Sequence, residues 1–341
     1  MLEQKIFEFI KNNNLIENGD KIVLGVSGGP DSICMLNILY KISSQKLIDF
    51  EIVVAHINHG LRKNAIIDEK FVENFCEKIG VSFFVKHSNI KEIATQQKRG
   101  LEETGRIVRY DFFREILQKT GANKIAIAHN ANDHAETVIM NFLRGTGIKG
   151  LVGIEMQSGN YIRPLIETSR DEIEQYLKNI QIEARHDESN DENIYTRNKI
   201  RNIVFPYIKQ EFNPNIVNAI KRLSDIAKEQ EEYLERQTAT EYGNLLIEEK
   251  NVTCNFEYNK LNNAEIVIDL KSFNLLEKLM QKRIILYAVN KIFGTTKGLE
   301  KIHIDDIIRL CNNNIGNKYL TPNKHLKIVT KKKQLRIIAV P

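Results

Sequence analysis

The sequence has few cysteines, and their spacing is irregular. Its 341 residues include four of them, Cys34, Cys76, Cys254 and Cys311, and no Cys-x-x-Cys pair. Zinc sites, iron–sulfur clusters and disulfide frameworks need regularly spaced cysteines, so this spacing argues against all three. We expect free thiols in a reducing compartment, which predicts a cytoplasmic protein.

The sequence also has no long apolar run. A membrane-spanning helix needs about 20 predominantly apolar residues, and no stretch approaches that length. The first residues carry Glu3 and Glu8 and lack the apolar segment and small-residue cleavage site of a signal peptide. We therefore expect no membrane partner.

The net charge of +5 conceals an uneven distribution along the chain. Residues 1–205 are nearly neutral, whereas residues 250–341 hold 17 Lys and Arg against 7 Asp and Glu. A basic segment attached to a neutral body indicates a polyanion partner. A solvated lysine-rich surface would explain the same composition, and charge alone does not decide between the two.

Short apolar segments alternate with helical patterns in the first half of the chain. The predicted strands are Lys21–Val26, Glu51–Ile57, Val81–Lys86 and Lys124–His129, and the predicted helices cover about 31–45, 66–79, 101–119 and 132–144. This alternation predicts an α/β fold with a doubly wound, Rossmann-like parallel sheet. In such sheets ligands bind outside the carboxyl ends of the strands.

From about residue 206 the pattern changes. Residues 213–247 have the apolar spacing of one long helix, and short alternating segments then flank a helix at about 275–293. We expect a smaller helical and α+β C-terminal region. The predicted domains are residues 1–208 and residues 209–341.

The segment VLGVSGGPDSICML places a glycine-rich loop, Ser27-Gly28-Gly29-Pro30-Asp31-Ser32, between the first predicted strand and helix. The glycines let the backbone turn tightly and approach a phosphate, and the helix start adds unpaired N–H groups. Ser27 and Ser32 add hydroxyls, and Asp31 is an oxygen ligand suited to Mg²⁺. No Gly-Lys-Ser/Thr follows the glycines, so this is not a Walker A loop. The pattern predicts a phosphate site of another kind.

This loop resembles that of the PP-loop ATP pyrophosphatases, which cleave ATP between its α and β phosphates. Other stretches are similar to one of their families, the tRNA(Ile)-lysidine synthetases. They are His56–Arg62 (HINHGLR), Glu102–Tyr110 (EETGRIVRY), Ala128–Thr137 (AHNANDHAET), Arg144–Gly147, Gly150-Leu151, Arg163–Leu165, Asp187, Ser189-Asn190, Arg197-Asn198 and Ile200-Arg201. The resemblance covers about residues 20–205. Asn130 replaces a commoner histidine, which weakens any acid–base role at that position. Asn132 replaces a frequent aspartate, so the metal charge would rest more on Asp31 and Asp133.

The resemblance implies a role for each matched polar residue. The catalytic residues would be Asp31, Arg109, His129, Asp133 and Glu136. ATP would be bound by Ser27, Gly28, Gly29, Pro30, Asp31, Ser32 and His56, and Mg²⁺ by Asp31 and Asp133. The tRNA would be bound by His59, Arg62, Arg197, Lys199 and Arg201. Each of these side chains has a simpler alternative as a solvated or structural group. Asp133 and Glu136 suit either Mg²⁺ or a lysine ammonium.

The implied reaction joins free L-lysine to C2 of the wobble cytidine in the CAU anticodon of tRNA(Ile), through an O2-adenylated cytidine. Residues 209–341 would bind the tRNA. The alternatives are a PP-loop enzyme that thiolates cytidine, an amidating ligase, and an inactive RNA-binding relative. The first typically needs paired cysteines, which this sequence lacks. The oligomeric state is open, and a homodimer is one alternative.

Overall fold

The computed structural model describes residues 1–58, 60, 65–185, 195–252, 264–313 and 318–340. Cys254, Asp187, Ser189, Asn190 and the expected tRNA contacts His59 and Arg62 lie outside these ranges. The chain divides into two compact units, Met1–Lys228 and Glu229–Pro341. No helix within the described ranges is long and apolar enough to cross a bilayer.

The first unit alternates strands and helices. Its helices are α1 (Leu2–Asn12), α2 (Pro30–Ser44), α3 (Ala65–Ile79), α4 (Ile90–Gln97), α5 (Leu101–Thr120), α6 (Ala131–Leu143), α7 (Ile148–Leu151), α8 (Arg170–Asn179), α9 (Thr196–Lys199) and α10 (Phe205–Glu211). Its strands are β1 (Asp20–Gly25), β2 (Phe50–Asn58), β3 (Ser82–His87), β4 (Lys124–Ile127), β5 (Gln157–Ser158) and β6 (Tyr161–Ile162). A π-helical turn, Ile200–Val204, joins α9 to α10.

The strands form one sheet in the order β3-β2-β1-β4-β6-β5, parallel except for the short β5. The chain moves outward from β1 through β2 to β3 and then returns to place β4 on the other side of β1. This reversal between β1 and β4 is the topological switch point, where open α/β sheets bind their ligands. The predicted α/β, doubly wound parallel fold is confirmed.

Both faces of β1 are buried, which explains why its residues are almost continuously apolar. Ile22 and Leu24 face a core that includes side chains of α1, α2 and α8, and Val23 faces the opposite core with Phe113 of α5. Gly25 ends the strand and packs against the Phe113 ring so closely that a Cβ at this position would lie 2.4 Å from a ring carbon. The end of β1 therefore accepts only glycine without rearrangement.

The helix α11 (Ile216–Leu245) contains the boundary between the units. The second unit adds helices α12 (Leu270–Leu275), α13 (Lys278–Phe293) and α14 (Lys301–Asn312) and strands β7 (Leu246–Lys250), β8 (Glu265–Asp269), β9 (Lys318–Asn323), β10 (Leu326–Lys331) and β11 (Gln334–Ala339). The strands form an antiparallel sheet in the order β7-β8-β11-β10-β9.

One apolar core holds the second unit together. Alternate strand residues such as Ile266, Ile268 and Ile337 pack against Ile284 of α13 and Ile307 of α14, and all five are fully buried. Alternation along the strands puts these residues on one face of the sheet. The expected α+β character of the C-terminal region is confirmed.

Candidate active site

The glycine-rich loop lies at the switch point, between the end of β1 and the start of α2. Gly28 has φ of +91°, a conformation that a residue with a Cβ adopts only with strain. Gly29 is the N-cap of α2, and Pro30 occupies the first turn, where its missing N–H costs nothing. The backbone N–H groups of Ser27 and Gly28 both donate to Ser32 Oγ at 3.2 Å, and this hydroxyl donates to the Gly29 carbonyl at 2.9 Å, which holds the loop on the start of α2. The loop and the first N–H groups of α2, which have no intrahelical partner, form a cradle for an anionic oxygen.

Asp31 lies beside this cradle in the first turn of α2. Its Oδ1 accepts a hydrogen bond from Asn130 Nδ2 at 3.0 Å, and its Oδ2 lies 3.9 Å from the Arg170 guanidinium. Burial and the nearby Asp133 carboxylate raise the pKa of Asp31 to about 6. Asp31 is therefore an acid whose negative charge the surrounding protein compensates poorly.

Asn130 links β4 to this carboxylate. It caps α6 in a reciprocal arrangement: its side chain accepts from the Asp133 N–H, and the Asp133 carboxylate accepts from the Asn130 N–H. Asparagine is among the preferred N-cap residues, because its side-chain oxygen accepts from an N–H group at the start of the helix. The side-chain NH₂ group of Asn130 takes no part in the capping box and donates to Asp31.

Asp133 and Glu136 form an ion network with Arg197 and Arg201. The Glu136 side chain is 1% exposed and accepts from Arg197 Nε at 2.8 Å and Arg201 Nε at 2.6 Å. The Asp133 carboxylate lies 3.0 Å from Arg201 Nη2 and 3.5 Å from Arg197 Nη2. Each pair of like charges is three or four residues apart and so shares a helix face. The network brings these four site residues together, and its charges balance.

The π-helical turn positions one of the two arginines. Arg201 lies within it, and Pro206 follows shortly after at the start of α10. Pro206 has no N–H to donate to the carbonyl of residue 202, which removes an ordinary α-helical hydrogen bond at this point. Such turns are frequent at functional sites, where they change the direction of a side chain.

His129 follows β4 and lies in a group of cations. Arg163 Nε donates to His129 Nδ1 at 3.1 Å. Burial, Arg163, Arg197, Arg106 and Arg109 together lower the pKa of His129 to about 3. The end of β4 is thus electropositive, with a neutral imidazole at its centre.

The His56 side chain lies in a different environment from that of His129. It is 3% exposed, and its Nδ1 donates to the Val26 carbonyl at 2.8 Å, so its ring lies against the backbone that leads into the loop. Burial lowers the pKa of His56. Lys199, the remaining described residue expected to contact tRNA, has an exposed side chain.

Three arginines for which no role was predicted lie in or beside the site. Arg163 follows β6, Arg170 starts α8, and Arg185 donates through its backbone N–H to the Gly28 carbonyl at 3.0 Å. Arg163 could have been found, because it lies within the matched stretch RPL and directly follows an apolar segment. No spacing rule connects Arg170 or Arg185 with the loop, since only the folded chain brings them there.

Asp31 fits Mg²⁺ better than Asp133 does. Both Asp133 oxygens already accept hydrogen bonds, from the Asn130 N–H and from Arg201, whereas Asp31 has one close donor. No cluster of three or more His, Cys, Asp or Glu in the described parts of the chain could hold a metal. Mg²⁺ commonly binds one or two carboxylates together with substrate phosphates and water. The single carboxylate of Asp31 beside a phosphate cradle fits that mode.

The three described cysteines lie on separate helices. Cys34, Cys76 and Cys311 are buried free thiols, and burial raises the pKa of Cys34 to about 12. A thiol acts as a nucleophile only as the thiolate, so these buried groups are poor carriers of sulfur.

Comparison with known proteins agrees with this geometry. The PP-loop domain family matches residues 1–208. The chain is 39% identical over 335 residues to the tRNA(Ile)-lysidine synthase of Clostridioides difficile strain 630, covering 97% of this chain and 69% of that protein. The chain belongs to the tRNA(Ile)-lysidine synthase family. The resemblance carried by the loop and the later motifs is therefore confirmed, and ATP is the nucleotide of this PP-loop family.

Other family members give the same result with shorter overlap. The tRNA(Ile)-lysidine synthase of Clostridium perfringens strain 13 / Type A is 40% identical over 319 residues, or 93% of this chain and 65% of that protein. The chain thus spans about two thirds of the length of the lysidine synthases it matches. Among solved structures, the U34-tRNA thiolase NcsA from Methanococcus maripaludis has a TM-score of 0.52 at 20% identity, covering 65% of this chain and 78% of that one. At that identity the likeness concerns the fold alone.

Proposed function

We propose that this protein ligates free L-lysine to C2 of the wobble cytidine in the CAU anticodon of tRNA(Ile), using ATP. The cytidine O2 attacks the α-phosphorus, pyrophosphate leaves, and an O2-adenylated cytidine forms. The lysine ε-amine then attacks C2 and AMP leaves, which yields lysidine. The observation that carries this proposal is the meeting of the anion cradle, Asp31 and the arginine group at the switch point, in a chain of this family.

The loop accounts for cleavage between the α and β phosphates. The glycine-rich loop and the first N–H groups of α2 would hold the β and γ phosphates as one leaving pyrophosphate. In P-loop NTPases the Walker A lysine contacts the β and γ phosphates, and this loop has no lysine. Asp31 would hold Mg²⁺, which supplies positive charge to the phosphates when it is bound. Arg109 would stabilise the negative charge that develops on the α-phosphate.

His56 would contribute to the nucleotide site from β2. Its Nδ1 proton is committed to the Val26 carbonyl, so its Nε2 is the nitrogen available to accept a hydrogen bond. The amino group of adenine is a donor of the required kind. This contact is part of the proposal.

Free lysine would interact with the network through Asp133. Asp133 is 13% exposed and Glu136 is 1% exposed, so an incoming ammonium reaches Asp133 first. Asp133 could then orient the amine and help remove the proton that it must lose before it attacks C2. Glu136 would not contact lysine, and its carboxylate would hold Arg197 and Arg201 in place.

Transfer RNA would contact basic groups of both units. Lys199 is exposed near the site, and residues 250–341 carry the excess of Lys and Arg that gives phosphate contacts. His59 and Arg62 remain predicted tRNA contacts. Because the substrate is tRNA, we place the reaction in the cytoplasm. A homodimer also remains a prediction.

The test is the incorporation of radiolabelled lysine into a transcript of tRNA(Ile) with a CAU anticodon, in the presence of ATP and Mg²⁺. The elongator methionine tRNA, which shares the anticodon, is the specificity control, and Asp31→Ala is the site control. We expect label only in the isoleucine transcript, and its loss in the variant. AMP formation with another acceptor but no labelled tRNA would keep the nucleotide chemistry and reject lysidine formation.

A further inference from the structure

The proton of His129 has a fixed position. Arg163 Nε–H donates to His129 Nδ1 at 3.1 Å. A guanidinium has donors and no acceptor, and it keeps its protons throughout the pH range in which proteins fold. Nδ1 must therefore be the acceptor, and the neutral imidazole carries its proton on Nε2. His56 has the opposite tautomer, because a carbonyl accepts from its Nδ1.

Arg163 is itself held firmly. It follows β6, is 9% exposed, and donates through Nη1 to the Glu155 carbonyl at 2.7 Å. A planar guanidinium that bonds a carbonyl and an imidazole at the same time fixes the orientation of that imidazole. The contact joins β4 and β6, two neighbouring strands of the sheet, at their carboxyl ends.

The groups that face His129 keep it uncharged. Arg163 after β6, Arg197 of α9, and Arg106 and Arg109 of α5 all disfavour a second proton, as burial does. At neutral pH the ring is therefore a donor through Nε2 and has no free nitrogen lone pair. Such a ring cannot accept a proton from cytidine or lysine.

We propose that Arg163 is a positioning residue that holds His129 as a neutral imidazole whose Nε2–H donates to an oxygen of the ATP α-phosphate. This inference rests on the proposed function. The surrounding arginines attract the phosphate, and the Nε2–H bond strengthens as negative charge develops on the phosphate oxygens. The proton released by the lysine amine passes to another acceptor, either Asp133 or water.

The first experiment separates a donor from a base at position 129. The amide nitrogen of glutamine can occupy the place of Nε2, whereas that of asparagine cannot reach it. We expect His129→Gln to retain at least about 10-fold more kcat than His129→Asn, since loss of a hydrogen bond aimed at developing charge costs on the order of 10²-fold. Equal loss in both variants, with a rate limb near neutral pH in the wild type, would identify His129 as a base and overturn the proposal.

The second experiment reads the tautomer without any activity. Imidazole ¹⁵N chemical shifts distinguish protonated from unprotonated nitrogens. We expect Nε2 protonation in the wild type, a mixture of tautomers in Arg163→Met, and partial restoration in Arg163→Lys, whose ammonium still donates. The exposed Arg114 on α5, which pairs with Asp111, provides the matched control Arg114→Met.

The kinetic result should follow the tautomer. We expect kcat to fall by about 10- to 100-fold in Arg163→Met, as for a reacting group displaced by about 1 Å, and to fall less in Arg163→Lys. An Nδ1–H tautomer in the wild type, or an unchanged tautomer in a folded Arg163→Met, would overturn the inference. Failure of the proposed function would be distinct, because the wild type itself would then form no lysidine.

Discussion

Replacement of Glu136 by glutamine tests whether this carboxylate is part of the framework or a substrate ligand. The side chain is 1% exposed and accepts from two guanidiniums at 2.8 and 2.6 Å. Glutamine keeps the shape and one carbonyl oxygen but removes the charge that balances Arg197 and Arg201. Removal of one partner from a buried ion pair costs about 3–5 kcal/mol.

The partial exposure of the arginines reduces this figure. Their side chains are 28% and 17% exposed, so water can solvate part of the charge left behind. We expect a loss of about 3 kcal/mol in the free energy of unfolding, near the lower end of the range for buried pairs. For a unit of this size the melting temperature should fall by roughly 6–12 °C.

Urea titration followed by far-UV circular dichroism measures the loss, since the chain has no tryptophan for fluorescence. The control is Glu115→Gln, which breaks the exposed pair of Glu115 with Lys86, where side chains are 57% and 39% exposed. An exposed pair contributes less than about 1 kcal/mol. A double variant with Arg201→Gln should show a coupling energy of about 2 kcal/mol.

Equal stability of Glu136→Gln and Glu115→Gln would contradict a framework role for Glu136. A raised KM for lysine with unchanged stability would then identify Glu136 as a direct ligand of the substrate. Reduced stability with an unchanged KM for lysine would agree with the proposed role of Glu136 in holding Arg197 and Arg201 in place.

Three further changes have outcomes that follow from the geometry. Gly28→Ala forces a Cβ onto a backbone with φ of +91°, so we expect a loss of about 1–3 kcal/mol in the free energy of unfolding. Calorimetry should also show weaker ATP binding, and an unchanged ATP affinity would contradict a phosphate cradle in this loop. Gly25→Ala brings a Cβ to 2.4 Å from the Phe113 ring, so urea titration should show a loss of about 1–3 kcal/mol in the free energy of unfolding. The double variant with Phe113→Leu should recover part of this stability. Because the pKa of Asp31 is raised to about 6 in the folded state, its ionisation removes stability as pH rises from about 4 to 6. Asp31→Asn should therefore be more stable than the wild type by roughly 3 kcal/mol at pH 8 and equal to it below pH 4. Equal stability at pH 8 would contradict the raised pKa.

The sequence was sufficient to predict the parts of the fold that have a strong local pattern. Continuous apolar segments such as Lys21–Val26 and Lys124–His129 correspond to β1 and β4, and the loop after β1 lies at the expected edge of the sheet. The helix α14 and the strand β9 of the second unit were not predicted. The sheet there is stabilised by antiparallel pairing between segments far apart in sequence, which leaves weaker local patterns.

The partners of the site residues could not be predicted for a related reason. A spacing of three residues for Asp133 and Glu136, and of four for Arg197 and Arg201, is the spacing of residues that share a helix face. It does not show that the two faces meet, because more than 60 residues separate them. Arg170 reaches Asp31 across a still longer separation. Sequence patterns identify which groups are polar and where strands end, whereas charge compensation depends on contacts between distant elements.

The balance of charge in the site explains how acidic groups and a polyphosphate can share it. The network offsets the charges of Asp133 and Glu136 with two arginines, so these acids add little repulsion at the end of β4. Beyond that network, the cations around His129 come from α5 and from the residue after β6, the strand next to β4 in the sheet. Asp31 is a poorly compensated acid among the described residues of the site, and it lies beside the cradle where the phosphates would lie. A phosphate chain that brings its own divalent cation would relieve both excesses at once, because the cation offsets Asp31 and the phosphates offset the arginines.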